Sequence, residues 1–178
     1  YYANIFCMQE SVLEKDLIWT GSDDGVVHIS RDGGKSWNNV TPTSSPKYNM
    51  INSIEPSPFD KGKVYIAATS YKFGDYTPYI YKSGDYGSTW TTITNGIPKE
   101  EFVRVVRADP KRNGLLYAGT EKGMWISFDD GTSWSKFQLN LPIVPIHDLA
   151  IKNDNLIAAT HGRSFWMIDD LTPLHQIK

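Results

Sequence analysis

Along the whole chain, short runs of alternating or mainly apolar residues are separated by clusters of Gly, Pro, Asn and Asp. A period of two marks a strand with one face toward a core, and the polar, Gly- and Pro-rich clusters mark the turns between strands. The pattern predicts four successive groups of short strands. The first is Ile5–Glu10, Leu17–Thr20, Val26–Ser30 and Trp37–Val40. The second is Ile51–Pro56, Val64–Ala68, Tyr79–Ser83 and Trp90–Ile93. The third is Phe102–Ala108, Leu115–Gly119, Met124–Ser127 and Trp134–Phe137. The fourth is Ile146–Ile151, Leu156–Thr160, Ser164–Ile168 and Leu174–Ile177. The units cover about 1–44, 45–98, 99–142 and 143–178 of a single segment. No long helix is expected. The one candidate, Glu100–Val106, carries β-branched valines that lose side-chain freedom in a helix.

One stretch recurs between the third and fourth strands of the units. SRDGGKSW at Ser30–Trp37, SGDYGSTW at Ser83–Trp90 and SFDDGTSW at Ser127–Trp134 all fit Ser-x-Asp-x-Gly-x-(Ser/Thr)-Trp. The tryptophans recur at intervals of about 50 residues, the mark of a repeat architecture. Each copy sits on a hairpin turn. Ser30, Ser83 and Ser127, with Asp32, Asp85 and Asp129, can accept hydrogen bonds from turn amides that lack a ladder partner. Gly34, Gly87 and Gly131 supply a positive φ that a Cβ resists. Trp37, Trp90 and Trp134 are apolar plates suited to folding back beneath the turn. These residues are therefore read as structural. The run lacks the alternating oxygen ligands and closing Glu of a calcium loop, and no metal is expected. In the fourth unit the motif is degenerate: Asp169–Pro173 (DDLTP) keeps acidic residues without the Gly and the Trp.

Four-stranded units of this size, with one turn repeated on the same hairpin, are blades of a β-propeller. A solenoid or a sandwich does not account for that placement. The fold class is all-β, with four four-stranded antiparallel units. They form a small four-bladed ring or half of a larger one of seven or eight blades. In the second case two blade faces lie open. The segment is then expected to join the remainder of a larger propeller protein or to self-associate, two copies completing an eight-bladed ring.

Composition narrows the partners. A formal net charge of −2 leaves no electrostatic footprint for nucleic acid. No apolar run reaches the roughly 18 residues that span a bilayer, so no membrane span is expected. The single cysteine, Cys7, excludes an internal disulfide and reads as a buried, inert thiol. The chain does not begin with Met and reads as a segment of something longer. Asn39-Val40-Thr41 fits the short N-glycosylation pattern.

The repeated turn resembles the BNR or Asp-box repeat of β-propellers in sialidases, xyloglucanase-type glycosyl hydrolases and sortilin-type receptors. The resemblance extends loosely over the chain. LIWTGSDDG at Leu17–Gly25, LLYAG at Leu115–Gly119 and THGRSFWMIDDL at Thr160–Leu171 resemble large bacterial secreted proteins described as glycosyl hydrolases with sortilin-like propellers. It implies a propeller fold and an extracytoplasmic location, periplasmic or secreted. For function it implies a carbohydrate- or protein-binding scaffold. The alternatives are one wall of an active glycoside hydrolase cleft, or a sortilin-like peptide-binding propeller. By the same resemblance, ligands use the end of the ring opposite the repeated turns.

That end should gather the hairpins between second and third strands. The candidate ligand-binding residues there are Asp23, Asp24, Tyr71, Phe73, Tyr76, Glu121, His161 and Arg163, with Ser22, Lys72, Asp75 and Lys122 beside them. Ser70–Pro78 (SYKFGDYTP) is a longer hairpin, and loops that grow on a rigid scaffold often carry function. Its aromatic residues offer flat faces to sugar rings, or else pack on a neighbouring blade. His161-Gly162-Arg163 offers a fork for an anionic group, or is a tight turn with two solvated neighbours. His147-Asp148 opens an inner strand and places a polar pair in the channel.

Glycoside hydrolysis needs two carboxylates roughly 5–5.5 Å or 6.5–9.5 Å apart across the sugar. The sequence pairs none of Asp23, Asp24, Asp75 and Glu121. The xyloglucanase-type enzymes draw their aspartates from two propellers, and this chain has room for one. Sialidases use an arginine cluster and a tyrosine. Arg104 and Arg107 lie on an inner strand, but the Arg-Ile-Pro signature is absent. No zinc spacing, phosphate loop or serine elbow is present, and no cofactor is expected. The residues present no catalytic constellation.

Overall fold

The computed structural model describes residues 3–177. Four antiparallel sheets follow one another in chain order. The first holds β1 (Ile5–Glu10), β2 (Ile18–Ser22), β3 (Val27–Ser30) and β4 (Asn38–Asn39). The second holds β5 (Met50–Pro56), β6 (Val64–Ser70), β7 (Asp75–Ser83) and β8 (Thr91–Thr92), with a 3-10 turn at Tyr71–Phe73 inside its long hairpin. The third holds β9 (Val103–Ala108), β10 (Leu116–Thr120), β11 (Gly123–Ser127) and β12 (Ser135–Lys136). The fourth holds β13 (Ile146–Lys152), β14 (Asn155–Thr160) and β15 (Phe165–Ile168), and ends in helix α1 (Thr172–Gln176).

The fourth sheet therefore has three strands, not the four expected. The strand predicted at Leu174–Ile177 is replaced by α1. Pro173 stands in the first turn of that helix, where its fixed φ suits a helix and its missing N–H costs nothing. The amides of Leu174 and His175 both turn back to the Leu171 carbonyl. The other outer strands, β4, β8 and β12, are shorter than expected because Trp37, Trp90 and Trp134 close the turn instead of entering the ladder.

Sheets covered on both faces lose the period of two, and β6 and β10 are buried along their whole lengths. Three apolar clusters fill the spaces between successive sheets. Leu17, Trp19, Val27 and Ile29 meet Ile51, Ile54 and Ile66. Tyr65, Ala67 and Ile80 meet Val103, Val106 and Trp125. Val105, Tyr117 and Met124 meet Ile146, Leu149 and Leu156. Inner-strand packing runs β1 and β2 against β5, β5 and β6 against β9, then β9 and β10 against β13. No comparable packing joins the fourth sheet to the first among the described residues. The chain is an arc of four propeller blades.

Two glycines set how closely blades approach. A Cβ on Gly21 would lie 2.4 Å from Ile51 Cγ2, and one on Gly119 would lie 2.7 Å from Ile146 Cγ2. Both isoleucines lie at the start of the next inner strand, Ile51 second in β5 and Ile146 first in β13. Ala67 holds the same register position in β6 that Gly21 and Gly119 hold in β2 and β10.

The repeated turn is a closed hydrogen-bond circuit. The Ser30 hydroxyl donates to Asp32 Oδ1 at 2.8 Å and accepts from the Gly34 amide at 2.8 Å. The Ser36 amide and hydroxyl donate to the two Asp32 oxygens at 2.9 and 2.5 Å. The Ser36 hydroxyl first, then its amide, hold the Asp32 carboxyl down at about 2. Ser83, Asp85 and Thr89 repeat the circuit, as do Ser127, Asp129 and Ser133.

The closing tryptophans divide into two kinds. Trp90 Nε1 donates to the Val40 carbonyl at 2.8 Å, and Trp134 Nε1 donates to the Ile93 carbonyl at 2.8 Å. Each thereby pins its blade to the outer part of the preceding one. Trp37 belongs to the first sheet and donates instead to Gly34 of its own turn at 3.1 Å, with 41% of its surface exposed.

Candidate binding site at the channel mouth

Every inner strand carries one extra residue at the same place. The ladder skips between Ile5 and Cys7, Ile51 and Ser53, Val103 and Val105, and Ile146 and Asp148. The bulged residues are Phe6, Asn52, Arg104 and His147. A bulge bends the strand and re-aims a side chain. Between the inner strands lies a cavity of about 270 Å³, lined among others by Cys7, Asn52, Arg104, Arg107, His147 and Asp148. The channel wall is thus mainly polar.

Cys7 is half-buried in that wall. Its thiol donates to the Ile51 carbonyl at 3.4 Å, and burial pushes it up to about 12. A thiol so rarely ionised is a poor nucleophile.

Arg107 is held by the Leu149 carbonyl at 2.9 Å, by Asp148 at 2.7 Å and by Glu55 at 3.6 Å. Burial pushes the Glu55 carboxyl up to about 7, against the pull of Arg107. The folded chain therefore keeps a proton that the unfolded chain releases near pH 4.5. Since the folded form binds more protons over that window, stability falls as pH rises from about 4.5 to about 7. Urea titrations at pH 5 and pH 8 are expected to show a loss of about 1–3 kcal/mol that Glu55→Gln removes. An unchanged slope in the variant would assign the pH dependence elsewhere.

At the mouth, the hairpins of the second, third and fourth sheets meet around Phe102 and Arg104. Tyr71 stacks on Phe102 with ring centroids 5.1 Å apart and planes 11° from parallel. Tyr76 reaches the same ring at 6.0 Å. The Arg104 guanidinium lies 5.2 Å from the Tyr71 ring centre and 4.9 Å from that of Phe102, an attraction to the negative faces of the rings. It also pairs with Glu121 at 2.8 Å. His147 and His161 meet edge to face at 4.8 Å. Burial first, then the charge of Arg104 and the neighbouring His161, holds His147 below the ordinary histidine value.

Of the sequence-derived candidates, Tyr71, Tyr76, Glu121 and His161 are thus on one wall. Phe73 turns toward Tyr48, 6.2 Å away. Asp23 accepts from the Ala3 and Asn4 amides at 2.8 and 2.9 Å and from the Asn4 side chain at 3.1 Å, which fixes the chain entering β1. Asp24 accepts from the Ser22 hydroxyl within its own turn. Asp75 accepts from the Tyr79 hydroxyl at 2.6 Å and the Thr77 amide at 2.9 Å. Arg163 is exposed, and its carbonyl takes the Trp166 indole at 2.9 Å. Phe102 and Asn52 are site residues that sequence reasoning missed. The signal for Asn52 is positional: the four inner strands, superposed at the bulge, place Phe6, Asn52, Arg104 and His147 in one column.

The fold defines a β-propeller segment, with a mainly polar cavity between its inner strands and a cluster of aromatic rings around Arg104. No protein-family model matches the chain. Among curated proteins it is 32% identical over 146 residues to Xyloglucanase Xgh74A of Acetivibrio thermocellus, covering 70% of this chain and 16% of that protein. It is 34% identical over 106 residues to vacuolar protein sorting/targeting protein 10 of Laccaria bicolor, covering 58% of this chain and 6% of that protein. The chain thus spans about a sixth or less of the length of these relatives. Among solved structures it superposes on the GH74 xyloglucanase from Xanthomonas campestris with a TM-score of 0.70 at 14% identity, over 93% of this chain and 29% of that one. With YCF48 bound to D1 peptide the TM-score is 0.69 at 19% identity, over 94% and 50% of the two chains. Sequence likeness runs to xyloglucanases and to sortilin-like sorting proteins, and structural likeness to part of larger propellers. Among the described residues no helix is long and apolar enough to cross a membrane.

Proposed function

We propose that these four blades are a binding scaffold within a larger extracytoplasmic propeller protein, and that the channel mouth takes a carbohydrate. The observation that carries this reading is that each acidic candidate named from the sequence already has a partner. Asp23 fixes the entering chain, Asp24 and Asp75 close their own turns, and Glu121 is paired with Arg104. A general acid and a facing carboxylate would have to be free to exchange protons with substrate. The aromatic wall supports a sugar ligand, because Tyr76 keeps 52% of its surface open. The sequence likeness to xyloglucanases makes xyloglucan oligosaccharides the first ligands to try.

The test is a glycan array, followed by calorimetric titration of each hit and an assay for reducing ends. Saturable binding without release of reducing ends is expected, with Tyr76→Ala weakening it about tenfold, or roughly 1.4 kcal/mol. Release of reducing ends that Asp24→Asn or Glu121→Gln abolishes would make the segment a wall of a hydrolase cleft. Peptide binding with no glycan hit would favour the sortilin-like reading, which the likeness to the sorting protein supports.

A further inference from the structure

The residue after each outer strand makes the same two kinds of contact in the first two blades. The amides of Val40, Ile93 and Phe137 donate to Val27, Ile80 and Met124 of the adjacent strand, each at 2.9 Å. The carbonyls of Val40 and Ile93 then receive the indoles of Trp90 and Trp134 from the following blade. Phe137 is third in this series. The fourth blade has no such tryptophan, and among the described residues no side chain donates to the Phe137 carbonyl.

Among the described residues the same blade has no outer strand. In the third sheet Ile126 pairs with Ser135 of β12, and the Met124 carbonyl takes the Phe137 amide. By register, Met167 stands where Ile126 does, and Phe165 stands where Met124 does. Their outward backbone groups meet no strand among the described residues. Helix α1 does not cover them, because it is held against the third sheet. There Arg112 reaches the Leu174 carbonyl, and His175 lies 3.0 Å from Asp109. Beside the open edge runs an apolar groove lined by Phe137, Leu141, Ala158, Trp166 and Met167. It encloses only about 30 Å³, so a side chain would lie along it rather than sink into it.

An unpaired edge beside an apolar groove is a template for strand addition. The occupant is specified by continuity with the interfaces already formed. WNNV at Trp37–Val40, WTTI at Trp90–Ile93 and WSKF at Trp134–Phe137 are the segments that fill this place in the other blades. The geometry points to the outer edge of β15 as a site for an extended peptide of the form Trp-x-x-apolar. The peptide adds as a fourth strand, its backbone pairs with Met167, and its indole donates to the Phe137 carbonyl. This site is separate from the channel mouth and does not depend on the carbohydrate reading.

The probe is a synthetic peptide with the sequence of Gly131–Gln138, titrated into the chain by fluorescence anisotropy, with amide hydrogen exchange followed at Met167. Saturable one-to-one binding is expected, and exchange at Met167 should slow by about tenfold or more in the complex. Trp134→Ala within the peptide should weaken binding by about tenfold or more. N-methylation of the peptide residue that faces Met167 should abolish binding, since it removes a ladder bond without changing the side chain. Absence of saturation up to millimolar peptide overturns the proposal. So does binding that survives either change, or binding that leaves Met167 exchange unaltered.

Discussion

Trp134→Ala is expected to cost the fold about 3–5 kcal/mol, whereas Trp37→Ala costs under about 1 kcal/mol. The two residues occupy the same position of the same repeat, so the contrast tests what the tryptophan does. Trp134 is 4% exposed and lies in the cluster between the second and third blades, with its indole bound to the Ile93 carbonyl. Truncation removes the apolar plate, opens a cavity between blades and leaves a buried carbonyl without its donor. Trp37 has solvent on one side and its indole bound within its own turn. Little is lost when it goes. Urea unfolding of the two variants, followed by circular dichroism, reads the difference directly. Equal losses would mean that the tryptophan serves its own turn and not the joint between blades.

Gly96→Ala should lower stability by about 3 kcal/mol or more, a fall in Tm of roughly 6–12 °C for a chain of this size. Gly96 has φ +103°, and a Cβ built there would sit 2.2 Å from the Trp134 carbonyl oxygen. The obstacle is backbone, not a side chain that can swing aside. It is also fixed from both ends, since the Asn95 carbonyl takes the Trp134 amide at 2.8 Å and Asn95 Nδ2 reaches the Thr132 carbonyl at 3.3 Å. Gly74 makes the control. Its φ is +77°, but nothing lies within 4 Å of its Cβ position, so Gly74→Ala carries only the conformational cost of about 1 kcal/mol. If the two substitutions shift the melting curve equally, the close approach is not what constrains Gly96.

The repeated turn could be read from sequence because its chemistry is local: serine, aspartate and glycine satisfy one another within a few residues. The inner and middle strands could be read from short, alternating or mainly apolar runs between turn clusters, whereas the outer strands are shorter than those runs imply. What escaped was set by neighbours. Trp37 and Trp134 are equivalent in sequence and differ in the structure, because among the described residues only Trp134 meets the outer part of another blade. Leu174–Ile177 has the composition of an outer strand, yet Pro173 starts a helix there and the third sheet gives α1 its contacts. At the mouth, the Asp75–Thr77 and Ser22–Asp24 bonds lie within reach of a local reading. The Asp23–Asn4 and Arg104–Glu121 pairs depend on strand register. One inserted residue per inner strand aims Arg104 and His147, and an insertion of that kind leaves composition unchanged.

The seating of Ile51 on Gly21 and of Ile146 on Gly119 has a geometric consequence. The first two blades touch at two radii, near the axis where Ile51 seats on Gly21 and near the rim where the Trp90 indole meets the Val40 carbonyl. With the rim pinned, a bulkier residue at Gly21 would force the inner edges apart and shrink the wedge between neighbours. The curvature of the whole arc, and so the number of wedges needed to come full circle, is governed by the size of a few side chains closest to the hub.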